Sequence, residues 1–544
     1  MQEILHRREI EQLPELLARR GRANYYPRRS CSSLILTQKG LSHMKITSLK
    51  LRTSHHTPNE DALLRCQIAL ELKDKGDYEG AREAMGHLWE RVGDRPNIEG
   101  LYPSVGSEVL LCSGILTRWI GSRNQIKEAQ ELAKNLITES ISYYESIGDT
   151  KKVAAARVEL ACCYWRQGQL DESRVILKEA LLILTTEGNT RAKALLRLAI
   201  VEWSDSRLAE ALGILTKNAM LFNKISNHAT KGAFHSQLAN ILTNLATAKG
   251  KKHYFQQAIS EYKKADDQFK LAHNRVFRGD VKNNLGFLLY TLSRFNEAHK
   301  YLEHARRLRV TVRDKVGIAQ IDDTRAQVFI AQNKLKDAEA VAKGAVRVLE
   351  RSGHQCLLAD ALVTHGIALA RMKQVERAQF TFHKAIDVAH QVGALNKAGL
   401  AALTMIEELD ELSPDAAFAA YDRASEWLAK SQGPDLLMRL NACARKVLSR
   451  LRAELAAEDD ADPLSNQPCD LHSKVLQFEA SLIRQALAQA NGSVTRAAAL
   501  LDMSYQGLAY VIGSRHKDLL KERSPVRRRS RRSREVEVAP PPED

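Results

Sequence analysis

The chain is poor in residues that break helices, with 13 prolines and 28 glycines among 544 positions, and only 6% of it is aromatic. With an ordinary apolar content of 44%, that shortage favours helices throughout. Its eight cysteines are Cys31, Cys66, Cys112, Cys162, Cys163, Cys356, Cys443 and Cys469; none forms a CxxC pair, and no His/Cys cluster has zinc spacing. Cys162 and Cys163 adjoin on a helix and cannot bridge easily. This usage argues against a disulfide scaffold and fits a reduced cytosolic compartment. No run of 18 apolar residues occurs, and the start lacks the positive, apolar and small sequence of a signal peptide. The expectation is a soluble, cytoplasmic protein that engages no membrane.

Catalytic motifs are equally lacking. There is no GxxxxGK[ST] phosphate loop, no HExxH, no GxSxG and no GxGxxG. Acidic pairs are frequent, but on amphipathic helices they read as solvated faces. The 17 histidines are dispersed, and His55-His56 reads as a loop coincidence rather than a metal site. We therefore expect no enzyme, no cofactor and no metal.

What the chain does have is positive charge at its ends. The net charge is +16, of which residues 1–59 supply +7 and residues 471–534 supply +9, so the remainder sums to zero. Basic segments at both ends suit a polyanion-binding protein whose middle faces other proteins. Residues 1–59 carry Arg7-Arg8, Arg19-Arg20 and Arg28-Arg29 among Ser, Pro and Tyr, with no sustained period, and read as a disordered basic segment. They are either an arm on DNA or an extension upstream of a true start at Met44.

From about Glu60 to Leu455 one spacing recurs. Leu285-Gly286, Leu289, Phe295, Ala298, Leu302 and Ala305 are echoed by Leu160-Ala161, Tyr164, Leu170, Ser173, Leu177 and Ala180. The spacing returns at His365-Gly366, Leu369, Val375, Ala378, Phe382 and Ala385, and first appears at Ile68-Ala69, Leu72, Tyr78, Ala81, Met85 and Leu88. Other copies centre on Ile126, Leu208 and Phe255, and a worn one spans 395–432. Phe295, Leu335 and Val375 are 40 apart. This resembles the tetratricopeptide repeat, a helical hairpin stacked into a solenoid, in a form with helices about a turn longer than the usual 34-residue unit. The resemblance implies an all-α solenoid of eight or nine repeats over 60–455, a capping helix from Pro434 to Leu455, and a groove for a protein or peptide partner or for self-association. Residues 456–470, with Pro463 and Pro468, read as a flexible acidic linker.

The stretch 491–517, NGSVTRAAALLDMSYQGLAYVIGSRHK, reads as two short helices joined by a tight turn. Gly492 permits a chain reversal, and Ser493 is placed to cap the first helix. Ala497, Ala498, Leu500 and Leu501 give that helix an apolar face. Asp502-Met503-Ser504 ends it and caps the next, whose inward residues are Leu508, Val511 and Ile512. A preceding helix, roughly 471–490, carries Val475, Phe478, Leu482, Ala486 and Leu487 on one stripe to close the core. Together these residues resemble the helix-turn-helix domain of the Fis family, on Gly492, Ser493, Thr495-Arg496-Ala497-Ala498, Leu500-Leu501, Ser504 and Leu508. Asp502 stands where the family has Gly, and Ser493 where it has Asn.

The resemblance implies a domain over 471–522 that binds double-stranded DNA as a homodimer, with half-sites about one DNA turn apart. The second helix would offer Ser504, Tyr505, Gln506, Gly507 and Tyr510 to the major groove, with Gln506 suited to an adenine edge. Arg496 would sit at the groove edge or a phosphate, and Arg515, His516, Lys517 and Lys521 would grip the backbone. Residues 523–544 read as a disordered tail, Arg-rich and then acidic. The expected function is a sequence-specific DNA-binding transcriptional regulator associated with the nucleoid; the rival is a non-catalytic scaffold or adaptor whose final domain only dimerises.

Overall fold

A computed structural model of the chain describes residues 56–249, 252–429, 434–460 and 471–522. Nearly all of the basic N-terminal segment, positions 461–470 of the expected linker, and the tail 523–544 lie outside the described residues. All regular structure within them is helical, and the chain divides into two compact units, 1–452 and 453–544.

The first unit is a run of nine helical hairpins among the described residues. They pair α1 (Pro58–Asp74) with α2 (Tyr78–Met85), α3 (Pro103–Asn124) with α4 (Ala129–Ser146), α5 (Thr150–Gln167) with α6 (Leu170–Ile183), and α7 (Asn189–Ser204) with α8 (Leu208–Lys217). A short α9 (Ala219–Lys224) leads to α10 (His228–Lys249) with α11 (Lys252–Leu271), then α12 (Arg275–Thr291) with α13 (Phe295–Thr311). The last three hairpins are α14 (Lys315–Ala331) with α15 (Leu335–Glu350), α16 (Gln355–Arg371) with α17 (Val375–Gln391), and α18 (Leu395–Glu408) with α19 (Pro414–Leu428).

The forty-residue period has a plain geometric origin. α12 and α13 are 17 residues each, and each is followed by a three-residue turn. The turn inside a hairpin places its middle residue in the left-handed region, at Ser293 (φ 60°), Asn333 (φ 59°) and Lys373 (φ 60°). The turn between hairpins does the same at His273, Arg313, Gly353 and Gly393. Each such residue reverses the chain directly after the last helical hydrogen bond, so two helices and two turns close one repeat.

Close approach within a hairpin depends on small residues on its first helix. A Cβ at Gly286 would stand 2.7 Å from Leu302, and one at Gly366 would stand 2.9 Å from the Phe382 ring. Leu302 and Phe382 are fully buried, as are Ala298 and Ala378 beside them. Stacked hairpins share one core of this kind, which is why the repeat recurs rather than standing alone.

The repeats also meet across successive turns of the superhelix. Asn274 caps α12 by accepting from the Phe277 N–H (2.9 Å) and donates to the Asp74 carbonyl at 2.8 Å, 200 residues away in sequence. Asn227, just before α10, donates to the Asp74 carboxylate at 3.0 Å. Beside them Tyr78 stacks on Trp119 (centroids 5.8 Å apart), which meets Phe277 edge-on at 6.1 Å. Burial pushes the Tyr78 hydroxyl up to about 12. About five hairpins therefore bring the chain round to touch itself.

Helix α20 (Pro434–Asp460) covers α18 with Leu436, Cys443 and Val447, while Arg439 bonds Glu407 at 2.8 Å. It runs five residues past the expected end at Leu455. Ala and Glu sustain the helix, and no breaker appears until Pro463, whose ring disfavours helix at the residue before it.

Candidate nucleic-acid interface

The second unit has its own core. Helix α21 (Leu471–Gln489) supplies Ile483, Ala486 and Leu487, and Ala490 follows; α22 (Val494–Leu500) supplies Val494, Ala497 and Ala498; α23 (Tyr505–Ser514) supplies Leu508 and Ile512. A 3-10 turn, Lys517–Glu522, folds Leu519 into the same core. The chain leaves α21 through Asn491 (φ 50°) and Gly492 (φ 77°), with the Gly492 N–H bonded to the Leu487 carbonyl at 2.8 Å. It leaves α22 through Asp502, at φ 53°. The position where the family carries Gly is thus one that needs a left-handed backbone, which Asp tolerates.

Three local expectations are corrected. Ser493 sits at the start of α22, but its side chain makes no capping bond. Its ψ is 106°, whereas the hydroxyl caps that do bond, Thr57, Ser413 and Ser504, lie at 158°, 148° and 149°. Leu500 is 56% exposed, because Val494, Ala497, Ala498 and Leu501 take the inward face at helical spacing. On α21 the expected stripe splits in two: Ala486 and Leu487 are inward, while Val475, Phe478 and Leu482 are 55%, 62% and 40% exposed.

Ser504 caps α23 by accepting from the Gly507 N–H at 3.0 Å. With Leu508 and Ile512 fully buried, Ser504, Tyr505, Gln506 and Tyr510 project outward, and Gly507 is half-buried beside them. Ala509 and Val511 pack partly onto the core. The outward face of α23 therefore joins a hydroxyl, an amide and two phenols, and carries no charge.

Cations are distributed differently from the expectation. Arg496, Lys517 and Lys521 are exposed and form no ion pair among the described residues. Arg515 is exposed but lies 3.5 Å from Glu479. His516 departs from its expected place on the DNA backbone: it is 4% exposed, and its Nε2 lies 2.8 Å from a Glu479 oxygen. It ties the end of α23 to α21. Arg484 bonds Glu522 at 3.0 Å and Asp518 at 3.3 Å in a second tie. Sequence reading missed both ties, and the one available signal was Leu519, an apolar residue past α23 that demanded a core. The described residues 471–522 hold six Lys/Arg and four Asp/Glu, a net of +2, so most of the C-terminal excess lies in the tail.

Among the described residues, no helix is long and apolar enough to cross a membrane. No three His, Cys, Asp or Glu side chains there come together so as to hold a metal ion.

Residues 475–511 match the bacterial regulatory protein, Fis family. Residues 153–185 and 279–313 match the tetratricopeptide repeat. The chain therefore joins tetratricopeptide repeats to a C-terminal helix-turn-helix domain of the Fis family. Its fold is similar to several solved structures at 12% identity. One is a signal transduction ATPase with numerous domains and a tetratricopeptide repeat sensor, from Pyrococcus horikoshii (TM-score 0.40, covering 79% of this chain and 68% of that one). Another is a Rap protein complexed with competence and sporulation factor (TM-score 0.42, 62% and 99%). A third is yeast Tom70 (TM-score 0.41, 78% and 87%). No curated protein matches the sequence.

Proposed function

We propose that this chain is a sequence-specific DNA-binding transcriptional regulator in the cytoplasm, whose repeat body binds a protein or peptide partner or another copy of itself. The observation that carries the reading is α23. It is capped by Ser504 and anchored by Leu508 and Ile512, and it turns Tyr505, Gln506 and Tyr510 outward on one face. A helix so anchored fits the major groove, where Gln pairs with adenine N6 and N7 and apolar atoms meet the thymine methyl. Arg496, Lys517 and Lys521 supply phosphate contacts, which position the domain without reading sequence. The tail Arg527–Arg529, Arg531, Arg532 and Arg534 adds electrostatic grip.

Pairing of two such domains is part of the proposal. Val475, Phe478 and Leu482 stand at i, i+3 and i+7 on the outward face of α21, an apolar seam that a second copy would cover. That seam is also what favours the second reading, in which the domain dimerises an adaptor and reads no DNA. Selection of bound duplexes from a random pool by the full chain separates the two. The regulator enriches a two-fold motif, and Gln506→Ala with Tyr505→Ala loses the enrichment while keeping weak general binding. A pool that stays unenriched rules out the DNA reading.

A further inference from the structure

The first helices of the first four hairpins bring an unbalanced set of charges together. Arg118 on α3 and Arg197 on α7 both reach the Glu159 carboxylate on α5, at 2.9 and 2.7 Å. Lys73 on α1 lies 2.8 Å from Asp74. Lys193, one turn before Arg197 on α7, has no hydrogen bond and no ion pair among the described residues. Lys73 and Lys193 act electrostatically on each other and on Glu159 although α1 and α7 belong to hairpins three apart, so both ammonium groups lie near that carboxylate. The nearby Glu108 is taken by Lys152 at 2.8 Å. Four cations thus share two carboxylates.

The set is also poorly solvated. Arg118, Lys73 and Arg197 side chains are 3%, 11% and 16% exposed, and the Arg118 Nε–H is buried with no acceptor. Burial, and then Lys73, hold the Lys193 ammonium below the usual lysine range. An excess of like charge with little solvent and too few carboxylates is costly unless something bound supplies the counter-charge.

We propose that this cluster binds a small, multiply charged oxyanion, a phosphate ester or a polycarboxylate, held by Lys193, Lys73 and Arg118. The donors suit oxygen acceptors, and an excess of two positive charges matches a dianion. The low exposure of the side chains favours a compact solute over a polypeptide strand. The site adds a small anionic ligand to the binding role proposed for the repeat body and rests on that reading only for its regulatory meaning.

The test is calorimetric titration and thermal melting of the full chain with inorganic pyrophosphate and with citrate. Wild type is expected to bind one of them and to melt higher in its presence. Preference for pyrophosphate points to a phosphate-bearing ligand, and preference for citrate to a polycarboxylate. Lys193→Gln should weaken binding about tenfold or more, whereas Lys343→Gln, at a 42% exposed lysine on α15, should not. Absence of heat and of any melting shift with both anions overturns the proposal, as does equal binding by wild type and Lys193→Gln. Selection of DNA is scored separately on the same proteins, so failure of the anion site and failure of the DNA reading are told apart.

Discussion

Replacing Lys517 and Lys521 by glutamine is the most direct quantitative test of how the terminal domain holds DNA. Arg484 and Arg515 face carboxylates, whereas Arg496, Lys517 and Lys521 are exposed cations with no ion pair among the described residues. Each phosphate contact contributes about −0.9 to the slope of log affinity against log salt, so three give roughly −2.7 per module. On that slope a fourfold rise in salt weakens binding about 40-fold. The double variant retains Arg496 alone, with a slope near −0.9 and a loss of only ~3.5-fold over the same range. The Arg-rich tail adds equally to both proteins, so the difference, about 1.8 per bound module, survives its presence. Fluorescence anisotropy of the full chain on a labelled duplex across a salt series measures it. Equal slopes for wild type and double variant would refute the assignment. So would an Arg484→Gln variant that changes the slope as much as Lys517→Gln does.

Four further outcomes follow from the packing and the backbone. Gly366→Ala sets a Cβ 2.9 Å from the buried Phe382 ring and should cost ~1–2 kcal/mol net of its gain in helix propensity. Gly344→Ala, on α15 with nothing within 4 Å, should instead stabilise by about 1 kcal/mol in the same urea titration. His354 is 2% exposed, and burial chiefly, with the Arg123 guanidinium, pushes its pKa down to about 4. Because the unfolded chain takes up this proton more readily, the contribution is complete above the ordinary histidine value of about 6.5 and is lost as pH falls towards 4, roughly 2 kcal/mol by pH 5. His354→Gln should flatten that part of the pH profile, and an unchanged profile would show that another group sets it. Asp502→Gly relieves a left-handed backbone at φ 53° and should leave the terminal domain as stable or more so by about 0.5 kcal/mol, read by hydrogen exchange at Leu508 and Ile512.

The parts legible beforehand were those set by local chemistry. Small residues at Gly286, Ala298, Gly366 and Ala378, spaced against large ones at Leu302 and Phe382, announce a hairpin that repeats, because each pair must interlock before the next can stack. Asp502 and Ser504 announced a turn and a cap, since few residues accept either backbone state. The candidate site was legible as far as Tyr505, Gln506 and Tyr510, which follow once Leu508 and Ile512 are known to point inward. His516 was misjudged because a histidine after a helix looks solvated until Glu479, 37 residues earlier, is seen beside it. Val475, Phe478 and Leu482 were misassigned for a related reason: an apolar stripe says that a face avoids water, not what covers it.

By itself the sequence determined the all-helical class, the forty-residue repeat and the helix-turn-helix at the end, because these depend on residues within a few turns of one another. Only the tertiary structure decided which cations remain free in the terminal domain, and that Lys73, Arg118, Lys193 and Arg197 converge on two carboxylates. Those groups come from helices scores of residues apart. Their meeting depends on the accumulated rotation of stacked hairpins, a quantity that no local pattern carries.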